Sequence, residues 1–309
     1  MRRSPARIAA LCLWLLPLLG ILLPCAGVAA ALPARSAILV NLDSGRVLYE
    51  KNADSPIPPA SLTKIMTMYL ALDAVKARRL RLDTRVRVPA AAASVGGSSM
   101  HLQAGDSVPL VRLLAGMAVV SGNDAAMTVA TRVGGDTRNF VRQMNGRARS
   151  LGLSRTTFKN PTGLPAAGQK TSARDMMRLC RAYLKAHPSA MRFHGMQNFL
   201  HRGLPMRNTN ALLGNMRGVN GLKTGWTVAS GYNLVATATR GKTRLLAVVL
   251  GAASREQRDA AARQLLEAGF RDPRDPKKVQ ASLAKGRLTA GEPRAKSHAP
   301  RKGALTSAR

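Results

Sequence analysis

The stretch Pro58-Pro59-Ala60-Ser61-Leu62-Thr63-Lys64-Ile65-Met66-Thr67-Met68-Tyr69-Leu70 joins a stop in extended structure to the start of a helical pattern. The prolines end a strand, and apolar residues then recur at Ile65, Met66, Tyr69, Leu70 and Leu72, which predicts a helix from Leu62 to Ala77. Ser61 then stands at a helix N-terminus, three residues before Lys64, and that step brings the two side chains to one face. A serine hydroxyl becomes a nucleophile when a neighbour removes its proton, and a lysine can do so once burial or nearby positive charge lowers its pKa. Leu62, Ile65 and Met66 give Lys64 a mostly apolar setting. The N–H groups and dipole of a helix start favour negative charge developing at Ser61.

Outward from this segment, Ala37–Leu42 and Arg46–Glu50 flank Asp43-Ser44-Gly45 and read as an antiparallel hairpin. A second hairpin pairs Leu234–Thr239 with Leu245–Leu250 about Arg240-Gly241-Lys242. Leu110–Val120 and Asp124–Val133 read as helices separated by a turn at Ser121-Gly122-Asn123, and Glu256–Phe270 as a closing helix. The predicted fold class is α/β in the α+β sense: one antiparallel β-sheet packed against helices, with no second β-rich domain. The central domain is expected over residues 31–272.

At its start, Arg2, Arg3 and Arg7, an apolar run from Ile8 to Leu23 and the small residues Val28-Ala29-Ala30 predict a signal peptide over residues 1–30. Cys12 and Cys25 would leave with it, and Cys180, in a helix-like pattern, is read as a small core residue. Residues 273–309 hold ten Lys or Arg, two acids and no aromatic, and are expected to form a disordered basic tail.

The formal net charge of +33, from 48 basic and 15 acidic residues, points to a polyanionic neighbour. Nucleic acid is disfavoured, because aromatics make up only 4% of the chain and the start predicts export. Anionic wall polymers or a membrane surface fit better as partners of the basic tail. The histidines at 187, 194 and 201 recur every seven residues, but Pro188, Gly195 and Gly203 interrupt any common helix. They are read as surface or loop histidines, and no metal site and no cofactor is expected.

Two further motifs carry polar groups. Ser121-Gly122-Asn123 offers a hydroxyl and an amide, which alone could equally be a plain turn. Lys223-Thr224-Gly225 leads through Trp226 toward Gly231-Tyr232-Asn233, and the glycine would let a substrate backbone approach a strand edge. In order, an S-x-x-K opening a helix, an S-x-N at a helix break and a K-T-G on a late strand match the serine acyl-transferase set. With Asn160-Pro161-Thr162-Gly163-Leu164 and Ser172-Ala173-Arg174-Asp175, they make residues 37–270 resemble the low-molecular-mass penicillin-binding proteins, the D-alanyl-D-alanine carboxypeptidases, and so imply their β-lactamase-like fold.

That resemblance implies Ser61 as the acylated nucleophile, Lys64 as its base and Ser121 as the proton relay to the leaving D-Ala. Asn123 and Lys223 would complete the polar network, and the N–H groups of Ser61 and Trp226 would form the oxyanion hole. Thr224 would meet the substrate carboxylate beside Gly225. Arg258 would bind that carboxylate too, with Arg255 as the alternative. The implied partners are peptidoglycan stem peptides and β-lactams, in the periplasm or cell envelope. Trp226 stands where many members have histidine. Members without a β-rich second domain include endopeptidases that cut cross-links, so both bonds remain open. A β-lactamase is disfavoured because Asp124, Asp136 and Asp175 are the only acids between Ser121 and Lys223, leaving no deacylating glutamate. A non-catalytic wall-binding protein is disfavoured by the intact Ser61, Lys64, Ser121 and Lys223.

Overall fold

The computed structural model of the chain describes residues 32–285. The expected signal peptide and residues 286–309 of the basic tail lie outside the described residues. Both hairpins form, as β1 (Ser36–Asn41) with β2 (Val47–Lys51), and β8 (Gly231–Arg240) with β9 (Thr243–Ala252). With β7 (Val219–Thr227) they build one five-stranded antiparallel sheet in the order β2-β1-β9-β8-β7.

Between β2 and β7 the chain adds α1 (Lys64–Lys76), β3 (Arg85–Arg87), α2 (Ala90–Ala93), β4 (Ser107–Pro109), α3 (Leu110–Val119), α4 (Asn123–Gly134), α5 (Thr137–Ser150), α6 (Ala173–Ala186), α7 (Met191–His194), β5 (Asn198–His201) and β6 (Leu204–Arg207). After the sheet come α8 (Arg255–Arg271) and α9 (Pro276–Ala284).

Strand periodicity explains the layering, since successive side chains point to opposite faces. Ile38, Val40, Leu246 and Val248 join the core under α1, α3, α4 and α6, whereas Ala37, Leu39, Leu245 and Ala247 join the core under α8. Each large aliphatic removed from water in this way contributes about 1.5–3 kcal/mol. Both faces are covered, which is why these strands read as continuous apolar runs. Helix α1 is buried on almost every side, from Lys64 through Leu72, so it runs through the helical layer and does not lie on its surface.

Two expectations are corrected. The chain beyond Asp272 is not structureless throughout: Asp275 caps α9 by accepting from the N–H groups of Lys277 and Lys278, and Pro276 occupies the first turn. Val279 is buried in the α8-side core and α9 lies on β2 and α8. The three histidines are buried, not surface residues, at 7%, 0% and 6% exposure for His187, His194 and His201. His187 meets Asp73 at 2.8 Å, and His201 stacks on Phe199. His194 donates from Nδ1 to the Leu222 carbonyl at 3.1 Å and so presents Nε2 to the Tyr183 hydroxyl at 3.0 Å. Burial lowers its pKa to about 3, and it is neutral.

Candidate active site

Ser61 lies in a 3-10 turn, Ala60–Thr63, that runs directly into α1. With three residues per turn, side chains at i and i+3 eclipse, so the turn aligns Ser61 with Lys64 more closely than an α-helix would. Lys64 Nζ is 3.0 Å from Ser61 Oγ. The amine also donates to Asn123 Oδ1 at 2.6 Å and to the Thr162 carbonyl at 2.7 Å, and Lys64 has no exposed surface. Those two partners can only accept, whereas the third, a hydroxyl, can donate. A neutral amine therefore fits the site completely: two N–H groups on the carbonyl oxygens, and a lone pair facing the Ser61 proton. Burial holds the Lys64 pKa well below the ordinary lysine value, and the charge of Lys223 lowers it further, against a smaller opposing effect of Asp124.

Two loops fix these acceptors. The 160–164 loop closes on Asn160 Oδ1, which accepts from the N–H of Thr162 and Gly163. Gly163 has φ +85°, and a Cβ there would overlap the Ala60 carbonyl, so only glycine lets this loop reach the Ser61 turn. Asn123 opens α4 and also donates through Nδ2 to the Gly96 carbonyl at 2.6 Å. Beside it, buried Asp124 accepts from Ser99 Oγ and from the N–H groups of Met100 and Leu102, which holds the 98–102 loop against the site.

Ser121 has φ +63°, in the left-handed region, and its buried Oγ has no hydrogen-bond partner among the described residues. Ala60, preceding Ser61, has φ +47°. Such conformations cost about 1–3 kcal/mol each and gather at functional sites. The Ser121 hydroxyl lines the same cleft as Ser61.

The far wall is β7. Lys223 is buried, donates to the Thr224 carbonyl at 2.9 Å, and has its pKa lowered to about 7 by burial and then by Arg258. Thr224 Oγ1 lies 2.7 Å from Thr209 Oγ1. At Gly225 a Cβ would stand 3.0 Å from the Ser61 backbone nitrogen, so the strand edge and the serine turn are in close approach. Trp226 is 53% exposed and packs on Tyr232, with ring centroids 5.7 Å apart.

Both Arg255 and Arg258 line the cleft, of about 340 Å³, but they differ in character. Arg255 is exposed, whereas Arg258 is buried and donates from Nε to Asp259 Oδ1 at 2.8 Å. Arg258 Nη2 is also 2.8 Å from that oxygen, yet too poorly angled to hydrogen-bond to it. A buried guanidinium with unused N–H groups is a ready carboxylate ligand.

All nine residues singled out from the sequence thus surround one cleft or its inner wall. Sequence reasoning missed the Thr162 and Gly96 carbonyls, Ser98, Thr209 and Tyr232. For Thr162 a signal existed in Asn160-Pro161-Thr162-Gly163, but not its role as a backbone acceptor.

A cleft-lining serine paired with a buried lysine, set between a helical layer and the edge of a five-stranded antiparallel sheet, marks the β-lactamase-like fold of the penicillin-binding proteins. The family model of the D-alanyl-D-alanine carboxypeptidases matches residues 25–254, and the chain belongs to that family. It is 39% identical over 242 residues to the D-alanyl-D-alanine carboxypeptidase DacF of Bacillus subtilis, covering 77% of this chain and 62% of the relative. To DacC of Escherichia coli it is 42% identical over 250 residues, covering 79% and 62%. The chain thus spans about three fifths of the length of these relatives. Penicillin-binding protein D2 from Listeria monocytogenes, solved in its ampicillin-bound form, aligns with a TM-score of 0.71 and 33% identity over 77% of this chain and 98% of that one.

Proposed function

We propose that the chain is a serine-type D-alanyl-D-alanine carboxypeptidase that removes the terminal D-Ala from peptidoglycan stem pentapeptides through a Ser61 acyl-enzyme and is inhibited by β-lactams. The observation that carries this reading is the buried Lys64 amine, held by the Asn123 and Thr162 oxygens with its remaining valence on Ser61 Oγ. Ser61 Oγ attacks the carbonyl carbon of the penultimate D-Ala while its proton passes to Lys64. The oxyanion that forms is stabilised by the N–H groups of Ser61 and Trp226. As the C–N bond breaks, Ser121 gives its proton to the departing amine and regains one from Lys64, leaving an ester on Ser61. Water, deprotonated by the same route, then releases the shortened peptide and restores Ser61.

Lys223 supplies positive charge below about pH 7, and Thr224 and Arg258 receive the substrate carboxylate. The names of the relatives and the ampicillin-bound neighbour support this assignment. An exported location, in the periplasm or cell envelope, rests on the expected signal peptide. Among the described residues no helix is long and apolar enough to cross a membrane. A role for the basic tail on anionic wall polymers rests on its charge alone.

The test is to incubate the protein and Ser61→Ala with fluorescent penicillin and with a D-Ala-D-Ala pentapeptide. Covalent label and D-Ala release that both vanish in the variant support the carboxypeptidase. Label without D-Ala release shifts the assignment to an endopeptidase of cross-links, and absence of label removes the enzymatic reading.

A further inference from the structure

A recess of about 670 Å³, twice the size of the Ser61 cleft, opens between α6 and the ends of β1 and β9. It lies at the other end of the sheet: Arg244 on its wall is the second residue of β9, whereas Ala252, which pairs with Tyr232 of the Ser61 cleft, ends that strand. Eight strand steps put the two about 26 Å apart.

Its chemistry is divided. The apolar part includes half-buried Leu42 and Leu184, and the rim carries Arg178, Arg181, Lys185 and Arg244. Arg244 is neutralised by Asp43 at 2.6 Å, and Arg178 donates to the Gly152 carbonyl. Arg181 and Lys185, one helical turn apart on α6, have no hydrogen-bond or ion-pair partner among the described residues. The Arg181 guanidinium instead lies against Gly45, where a Cβ would stand 2.8 Å from Nη2. Like charges gathered in one recess repel unless an anion joins them, and a guanidinium beside an ammonium suits the oxygens of a phosphate. A plain anion would leave the leucines wet; an anion attached to an apolar chain would cover them.

We infer that this recess is a binding site for a phosphate-bearing amphiphile, an anionic phospholipid head group with the first carbons of its acyl chains. Arg181 and Lys185 hold the phosphate, and Leu42 and Leu184 receive the chain. Because the site is a recess, the lipid enters it and the fold does not insert into a bilayer here. The serine cleft, at the other end of the sheet, stays open when it is filled, so this inference does not depend on the proposed reaction.

The probe is dihexanoyl phosphatidylglycerol below its micelle concentration, titrated calorimetrically into the full chain, Arg181→Ser/Lys185→Ser and a control double variant, Arg87→Ser/Arg207→Ser. The control residues are exposed on β3 and β6. Saturable binding is expected, at least tenfold weaker in the recess variant and within twofold of the parent in the control. Glycerol phosphate, which has the charge without the chains, is expected to bind at least fivefold more weakly than the lipid. Equal weakening in both double variants, or no saturable binding, overturns the site. Equal affinity for glycerol phosphate overturns the amphiphile.

Discussion

Replacing Lys223 by methionine is expected to flatten the rise of folding stability between pH 7 and pH 9. The side chain is buried, and burial lowers its pKa from 10.5 to about 7 in the folded protein. Between those two values the unfolded chain binds a proton that the folded chain does not, so stability increases with pH across that window. At about 1.4 kcal/mol per pKa unit the full difference is on the order of 5 kcal/mol, of which about 2 kcal/mol is recovered between pH 7 and pH 9. Methionine keeps the apolar stem and carries no proton, so this increment disappears. Loss of the bond to the Thr224 carbonyl costs about 1 kcal/mol, but equally at every pH, and leaves the slope untouched. Lys64 is also buried with a lowered pKa and acts in the same direction; the variant relieves only the smaller of the two effects that lower it, since burial remains, so most of the difference between the two slopes belongs to Lys223. Urea unfolding at pH 7, 8 and 9 measures it. Parallel slopes for parent and variant would refute the reasoning, because they would mean that Lys223 stays charged when folded.

Asn123→Ala removes the 2.6 Å acceptor of Lys64 and the brace to Gly96, and penicillin acylation is expected to slow about 100-fold, near 3 kcal/mol, in stopped-flow labelling. Ser121→Gly relieves the positive φ and the unpartnered buried hydroxyl, and is expected to raise stability by about 1 kcal/mol in thermal unfolding while D-Ala release falls about 100-fold. Arg258→Met is expected to raise KM about tenfold for a pentapeptide with a free terminal carboxylate and to leave its C-terminal amide unaffected. Arg255→Met, at an exposed position, is expected to change KM less than threefold in the same assay.

The sheet was legible because its strands are covered on both faces: the apolar runs at Ala37–Leu42, Leu234–Thr239 and Leu245–Leu250 have no other stable reading when punctuated by Gly45 and Gly241. The short α9 was not, since one buried valine gives no periodic signal and only Asp275-Pro276 marks its start. The histidines were misplaced because the helix-breaking Pro188, Gly195 and Gly203 were read as marking surface or loop positions, whereas His194 is buried and satisfies both ring nitrogens internally. Among the site residues, Ser61, Lys64, Ser121 and Lys223 were found from motif and order, but the state of Lys64 could not be. Its two fixed partners lie 59 and 98 residues further along the chain, and one of them is a main-chain carbonyl that any residue at position 162 would offer. Position 163 carries the information instead: Gly163 allows the loop to pass close enough to the serine turn for that carbonyl to reach the amine. A lysine three residues from a serine is common on helices. What makes this one fit to take a proton is a glycine in another loop, which closes the amine off from water and leaves it a single hydroxyl to face.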